Sequence, residues 1–443
     1  VGLASLLIVP STVYRSLAVG AVAVAAISVI AALTILPALL SVLGDRVDRF
    51  RMPFCGKTTG GSHGVWDRVT ALVMRRPLLS TAAAVALLLS AAVPAFTMRE
   101  GFSGVSSLPA ESQSRAAFEA LDRDFSAGMM APARVVIDAP SVEAAPVREA
   151  TSRLLARLER DDAFGEPMVD RDPSGTLTVI SVPIVGDPDS KAARDSLMRL
   201  RRVYIPPAFA NVDAGVLVTG KTATAQDELR TIRQYTPVVF ATVLGLSFLL
   251  LLVMFRSIVV PAKAILMNML SVGAAYGLLV LVFQHGLGNQ LLGFQRTETI
   301  EAWLPLFLFA VLFGLSMDYH VFLVSRIKER YDQTGDNTVS VAHGMRQTAS
   351  LITGAAAIMV AVFGGFATGS LASMQQMGFG LAVAVTLDAT VIRSVLVPAS
   401  MQLLGRWNWY FPAWLSWLPQ LETEGAFRHQ PVADAIPFGA GGR

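Results

Sequence analysis

The sequence of 443 residues holds little charge, a single cysteine and five histidines. Each shortage excludes something. With 16% of residues charged, against about 25% in soluble domains, an ordinary soluble protein is ruled out. One cysteine, Cys55, excludes an internal disulfide framework and a multi-cysteine metal site. The histidines are scattered without metal-ligand spacing, so neither a metal nor a cofactor is expected. No Ser-His-Asp elbow, His-rich cluster or phosphate loop supports an enzyme such as an acyltransferase. The net charge of +3 calls for no nucleic-acid partner, because the basic residues gather in a few loops. The start, Val1 to Val9, is apolar and has no n-region, h-region or cleavage site of a signal peptide. Residue 1 is read as a break inside a longer protein, with the preceding helix mostly missing.

Apolar sequence fills the rest: 53% of residues are hydrophobic and mean hydropathy is +0.53. Seven stretches are long enough to cross a bilayer, which takes about 20 apolar residues: 17–43, 78–97, 236–255, 261–283, 303–325, 349–369 and 377–404. Basic residues orient them. The loops 45–76, 256–263 and 325–347 hold seven, two and four Lys or Arg, whereas the short loops opposite hold only Arg15 and Arg296. The basic side is expected to be cytoplasmic, and the polar segment 98–235 then falls outside, in the periplasm or its equivalent.

Six domain segments follow. They are 1–44, the end of a first membrane half; 45–76, a cytoplasmic linker; 77–97, a membrane helix; 98–235, a periplasmic α+β domain; 236–404, the helices of a second half; and 405–443, an interfacial aromatic segment with a cytoplasmic tail. In the inserted domain, helices are expected at 112–125, 147–159 and 192–203, and strands at 133–138, 177–184 and 215–218. Phe118, Leu121 and Phe125 share one face of the first helix. This alternation suggests a split βαβ sandwich. Leu36–Gly44 and Val397–Gly405 coincide at Pro, Ala, Leu and Gly with an offset of 361, which suggests two similar halves. On that offset, a first-half counterpart of Asp318 would lie upstream of residue 1.

Gly314-Leu315-Ser316-Met317-Asp318-Tyr319 places a carboxylate inside a spanning stretch, where it costs at least about 2.5 kcal/mol and usually serves an ion or proton pathway. Gly314, Asp318, Phe322 and Ser325 share a helix face, and Tyr319 could pass or share a proton. Phe322 is expected to seal this pathway from the periplasm or simply to pack. His320, about 200° around the helix from Asp318, is expected to pack or hydrogen-bond. Asp388 and Arg393 are also charged residues within a span. Their spacing of five puts them about 140° apart on an α-helix, so a direct pair is not expected and each should bond a different neighbouring helix, as structural glue or as relay support. Gly354–Ala357 and Gly364-Gly365 suggest close helix contacts. Trp407, Trp409, Trp414 and Trp417, with Tyr410 and Phe411, suggest an interfacial anchor, and the tail from Glu422 is polar.

Several of these motifs resemble the MmpL transporters of the RND superfamily. They are Ile300–Pro305, Gly314–Tyr319, Val324–Glu329, Ala342-His343-Gly344, Thr386–Arg393 and Leu36–Leu40. The resemblance implies an RND-type fold of twelve helices, of which this sequence holds the sixth to the twelfth. It implies proton-driven export of lipids or lipid-like molecules to the envelope from the plasma membrane. The cofactor is then only the proton gradient, and the partners are membrane lipids, a lipid substrate, the missing N-terminal half and a possible homo-oligomer. Asp318 and Tyr319 match the family's Asp-Tyr proton relay, supported by Gly314, Phe322, Asp388 and Arg393. His320 stands where glutamine or glutamate is expected in relatives. A non-transporting scaffold and a protein-translocation motor of the same superfamily remain as alternatives.

Overall fold

The computed structural model describes residues 2–44, 70–415 apart from 71, 103, 106, 107, 110 and 126, and residue 417. Cys55, most of the linker 45–76 and the tail from Glu422 lie outside the described residues. Seven helices among these residues are long and apolar enough to cross a membrane, matching the seven hydropathic stretches. The protein is a multi-pass membrane protein.

After a short turn from Gly2 to Ser5, α1 runs Thr12–Leu43. Its outer part is apolar yet unpacked, with Leu33 at 73% exposure, as suits a surface facing lipid. The second span covers Pro77–Thr97, with α2 at Pro77–Ala92. A two-residue strand follows, β1 at Glu100–Gly101.

The polar segment then builds α3 (Gln113–Phe125), β2 (Ala133–Asp138), α4 (Ala145–Leu158), β3 (Met168–Arg171), β4 (Leu177–Val182), α5 (Lys191–Arg199) and β5 (Gly215–Thr219). From β2 to β5 the order is βαββαβ, and the antiparallel sheet runs β3-β4-β2-β5, a split βαβ arrangement. Strand β2 alternates in burial because one face covers α4 and α5. Val135 pairs with Ile180 and Val218 across the sheet. Val135 and Ile180 are fully buried with Leu154 and Leu197 from the two helices. The helix expected at 112–125 forms as α3, and two features of the domain were not anticipated. α3 buries no residue and leaves Phe125 62% exposed, so its apolar face adds nothing to this core. β3 went unforeseen, because all four of its residues are exposed and carry no alternating signal.

α6 runs unbroken from Lys221 to Phe255, so the boundary expected at 235/236 falls inside a single helix. α7 covers Val259–Leu279 and continues in a π-helical turn, Val280–Gln284. β6 (Ile300–Glu301) pairs in parallel with β1 and joins segments two hundred positions apart. α8 (Leu304–Thr334), α9 (Asn337–Ala367) and α10 (Ala372–Leu387) complete the bundle. The chain extends from α10 through π-helical residues Asp388–Leu396 and a last α-helical stretch, Val397–Leu404.

Two apolar clusters hold the bundle. One joins α6, α7, α8 and α10 around Val243, Phe283, Phe309 and Leu381, and the other joins α2, α7, α8 and α9 around Leu88, Met267, Leu323 and Met345. Close helix approaches occur at glycines other than those expected. A Cβ on Gly277 would strike the Ala91 carbonyl, and one on Gly378 would strike the backbone of α9. Gly354, Gly364 and Gly365 face open space.

The aromatic segment packs in part against the end of the bundle. Trp407 and Trp414 are exposed, but Asn408 is fully buried. Its side chain accepts from Lys263 Nζ at 3.2 Å, and its backbone carbonyl accepts from Ser257 Oγ at 2.6 Å. Trp409 stacks on Tyr331, ring centroids 5.2 Å apart, with Lys328 Nζ 4.9 Å from its ring. Lys263, a turn anchor by sequence, is thereby buried against the end of the bundle.

Candidate functional site

The polar centre of the bundle forms where α7, α8 and the π-helical end of α10 meet. Ser316 Oγ lies 2.7 Å from Asn268 Oδ1 and 2.9 Å from Asp388 Oδ1. A hydroxyl has one proton, so Ser316 can give it to only one of these two oxygens at a time. Arg393 donates to Asp388 Oδ2 from Nε at 3.0 Å and from Nη2 at 2.7 Å, and Nη2 also donates to the Ser316 carbonyl at 2.8 Å. Asp388 and Arg393 are 9% and 3% exposed.

The direct pair corrects the expectation of two separate partners. The 140° separation holds for an α-helix, but Asp388–Leu396 is a π-helix. Its i→i+5 bonding returns the fifth residue to nearly the same face. Ser394 shows the same step, its Oγ donating to the Ala389 carbonyl at 3.0 Å. π-Bulges recur at functional sites, and here one assembles a buried ion pair. The expectation of two different neighbouring helices fails as well, since both members bond the same residue, Ser316 on α8.

α8 splits the predicted residues between two faces. Ser316, Tyr319 and His320 share one face within about a turn. The Arg393 guanidinium carbon stands 4.6 Å from the Tyr319 ring centroid, and the Tyr319 hydroxyl donates to Met359 Sδ at 3.7 Å. Asn268, Ser316, Tyr319, Met359, Asp388 and Arg393 contribute to the lining of a cavity of about 20 Å³, room for about one water molecule. Asn268 Nδ2 and Arg393 Nη1 are buried without a hydrogen-bond partner. His320 is 4% exposed, away from Asp318 as expected, and its Nε2 likewise has no partner.

Asp318 is on the opposite face, at the surface of the described chain. With Gly314, Gly2, Ser247 and Met317 it lines a second cavity, of about 120 Å³. Gly314 and Asp318 are therefore brought together, but neither joins Asp388 and Arg393. Phe322 does not stand between Asp318 and the inserted domain. α8 starts at the β1–β6 end, and Phe322 is a turn further from it, 5.9 Å from the Arg326 guanidinium carbon. Sequence reasoning passed over Asn268 and treated Ser316 only as part of a motif. The available signal was an amide within an apolar span, where polar groups are costly.

The sequence matches the MMPL family over residues 106–425. The chain belongs to the MMPL family of RND transporters. It is 36% identical over 438 residues to the mycolic acid-containing lipids exporter MmpL11 of Mycolicibacterium smegmatis, covering 97% of this chain and 45% of that protein. It is 33% identical over 432 residues to the heme uptake protein MmpL11 of Mycobacterium tuberculosis H37Rv, covering 95% and 44%. Identity to the trehalose monomycolate exporter MmpL3 of Mycobacterium tuberculosis CDC 1551 is 30% over 476 residues, covering 98% and 49%. The chain thus spans about half the length of these relatives.

Proposed function

We propose that this chain carries the relay half of a proton-driven lipid exporter, with α3 to β5 forming a periplasmic α+β domain. The observation that carries this reading is the division of α8. Asp318 opens on one face, while its neighbour Tyr319 rests on the Arg393–Asp388 pair at the other. A proton bound at Asp318 changes the charge on one face, and the adjoining ion pair gives the bundle a second arrangement of hydrogen bonds through Ser316. Lipid cargo is supported by the two relatives named as exporters of mycolic acid-containing lipids and of trehalose monomycolate. Asp318→Asn keeps the shape but cannot ionise. In the full-length protein it should abolish gradient-driven lipid export while leaving membrane insertion intact, and normal export would sink the reading.

A second reading, heme as cargo, is favoured by the relative named for heme uptake. Parallel uptake and export assays on the same vesicles separate the two.

A further inference from the structure

Two openings of about 390 and 270 Å³ at the foot of the inserted domain share Met198, Gln226, Leu229 and Arg233 in their walls, and so form one cleft. Most of its carboxylates are already engaged. Asp189 pairs with Lys221 at 2.5 Å, Asp195 with Lys191 at 3.4 Å, Asp227 with Arg201 at 2.6 Å and Glu100 with Arg233 at 3.4 Å. Arg99, Arg202 and Arg230 also line the cleft, and none of them has a carboxylate partner among the described residues. Only Glu298 stands against this surplus of positive charge.

The cleft sits at a definite height. Met98 and Arg99 follow directly on Thr97, the end of the second span. On α6, Arg233 precedes Thr236, where the apolar stretch opens, by about 4.5 Å, and Arg230 by about 9 Å, at 1.5 Å per residue. The headgroup layer on each side of the hydrocarbon is about 5–8 Å thick. The backbones of Arg99 and Arg233 therefore stand at its depth and that of Arg230 just beyond it, with half-buried Met98 on the membrane side and buried Leu229 and half-buried Met198 in the wall farther from it. Guanidinium groups bind phosphate oxygens through paired N–H donors, and Met98 suits the glycerol and first methylenes below them.

We infer that this cleft binds the anionic phosphate headgroup of a lipid in the leaflet beside the inserted domain. The inference does not rest on transport. Its test uses the protein in phosphatidylcholine nanodiscs, with spin-labelled phosphatidylglycerol as probe and spin-labelled phosphatidylcholine as reference. Phosphatidylglycerol should be preferred several-fold, and raising the salt to 1 M should reduce the preference by screening. Each of Arg99→Gln, Arg202→Gln and Arg230→Gln should lower it by roughly fivefold, the scale of one basic residue near an anionic surface. Glu298→Gln should raise it, a gain that misfolding cannot imitate. Arg148→Gln, elsewhere on the domain, should leave it unchanged. Equal binding of the two lipids, or a preference that survives the triple substitution, overturns the inference. Displacement of the probe by millimolar inorganic phosphate would assign the cleft to a free anion and overturn the lipid source.

Discussion

Arg393 is shared between Tyr319 and Asp388: its guanidinium lies over the ring of one and donates twice to the carboxylate of the other. The cation holds α8 through the Tyr319 ring and the Ser316 carbonyl, while its ion pair with Asp388 stays within the π-helical segment.

Breaking this ion pair should be costly. Removing one member of a buried pair leaves an unpaired charge, typically about 3–5 kcal/mol, whereas an apolar pair of similar volume is often neutral. Arg393→Met should lower the melting temperature of the detergent-solubilised protein sharply. The double variant Asp388→Leu/Arg393→Met should recover most of the loss. A double variant as unstable as the single one would show that the pair does not act as a unit.

Tyr319 separates the ring from the hydroxyl. Tyr319→Phe keeps the face that Arg393 covers and should change stability little. Tyr319→Ala should lose the cation–π contact as well, about 0.5–2 kcal/mol, plus a cavity. If Tyr319→Phe abolishes export at wild-type stability, the hydroxyl takes part in transport. Unchanged export removes Tyr319 from the relay.

Sidedness follows from the basic loops. A Gly215→Cys label, in a Cys55→Ser background, should react with an impermeant maleimide from outside the cell. Cys55 in the unmodified protein should react only after the membrane is opened. Outside labelling of Cys55 would invert the topology.

The inserted domain should be acid-sensitive at one place. Burial works to raise the Asp161 carboxyl, but the Tyr204 hydroxyl at 2.7 Å, the Ala163 amide at 3.1 Å and Arg199 Nε at 2.8 Å outweigh it and hold it below its usual value. A lowered folded-state pKa stabilises above the unfolded value and is lost as pH falls through the folded one. Hydrogen-exchange protection around Arg199 and Tyr204 should therefore weaken below about pH 4. Asp161→Asn should be less protected at neutral pH and should show a flatter dependence through that range.

Much of this architecture was written in hydropathy. Continuous apolar runs marked all seven spans, and short apolar-rich stretches, one of them following a Pro-Ser-Gly turn, marked β2 and β4. Where burial imposes no pattern, the sequence was silent. β3 is exposed throughout, β1 and β6 are two residues each, and their pairing depends on distant segments. The site was half legible. A carboxylate in an apolar run announces itself, so Asp318, Asp388 and Arg393 were found. The Asp388–Arg393 contact was not, since counting in α-helical steps cannot register a turn with one extra residue. Asn268 and Asn408 escaped for another reason. Asn268 meets Ser316 on another helix, and Asn408 joins Lys263 to the carbonyls of Met401 and Gly405, and no hydropathy pattern points to either.

The unbroken course of α6 makes it a lever. Lys221 adjoins β5 in the inserted domain, and Ser247, about 39 Å further along at 1.5 Å per residue, lines the cavity that holds Asp318. No loop lies between them, and Pro237 is the one point on the way where a helix hydrogen bond is missing. A tilt of the sheet would reach the carboxylate as a displacement of the wall it faces, and a push on that wall would return to the sheet along the same helix.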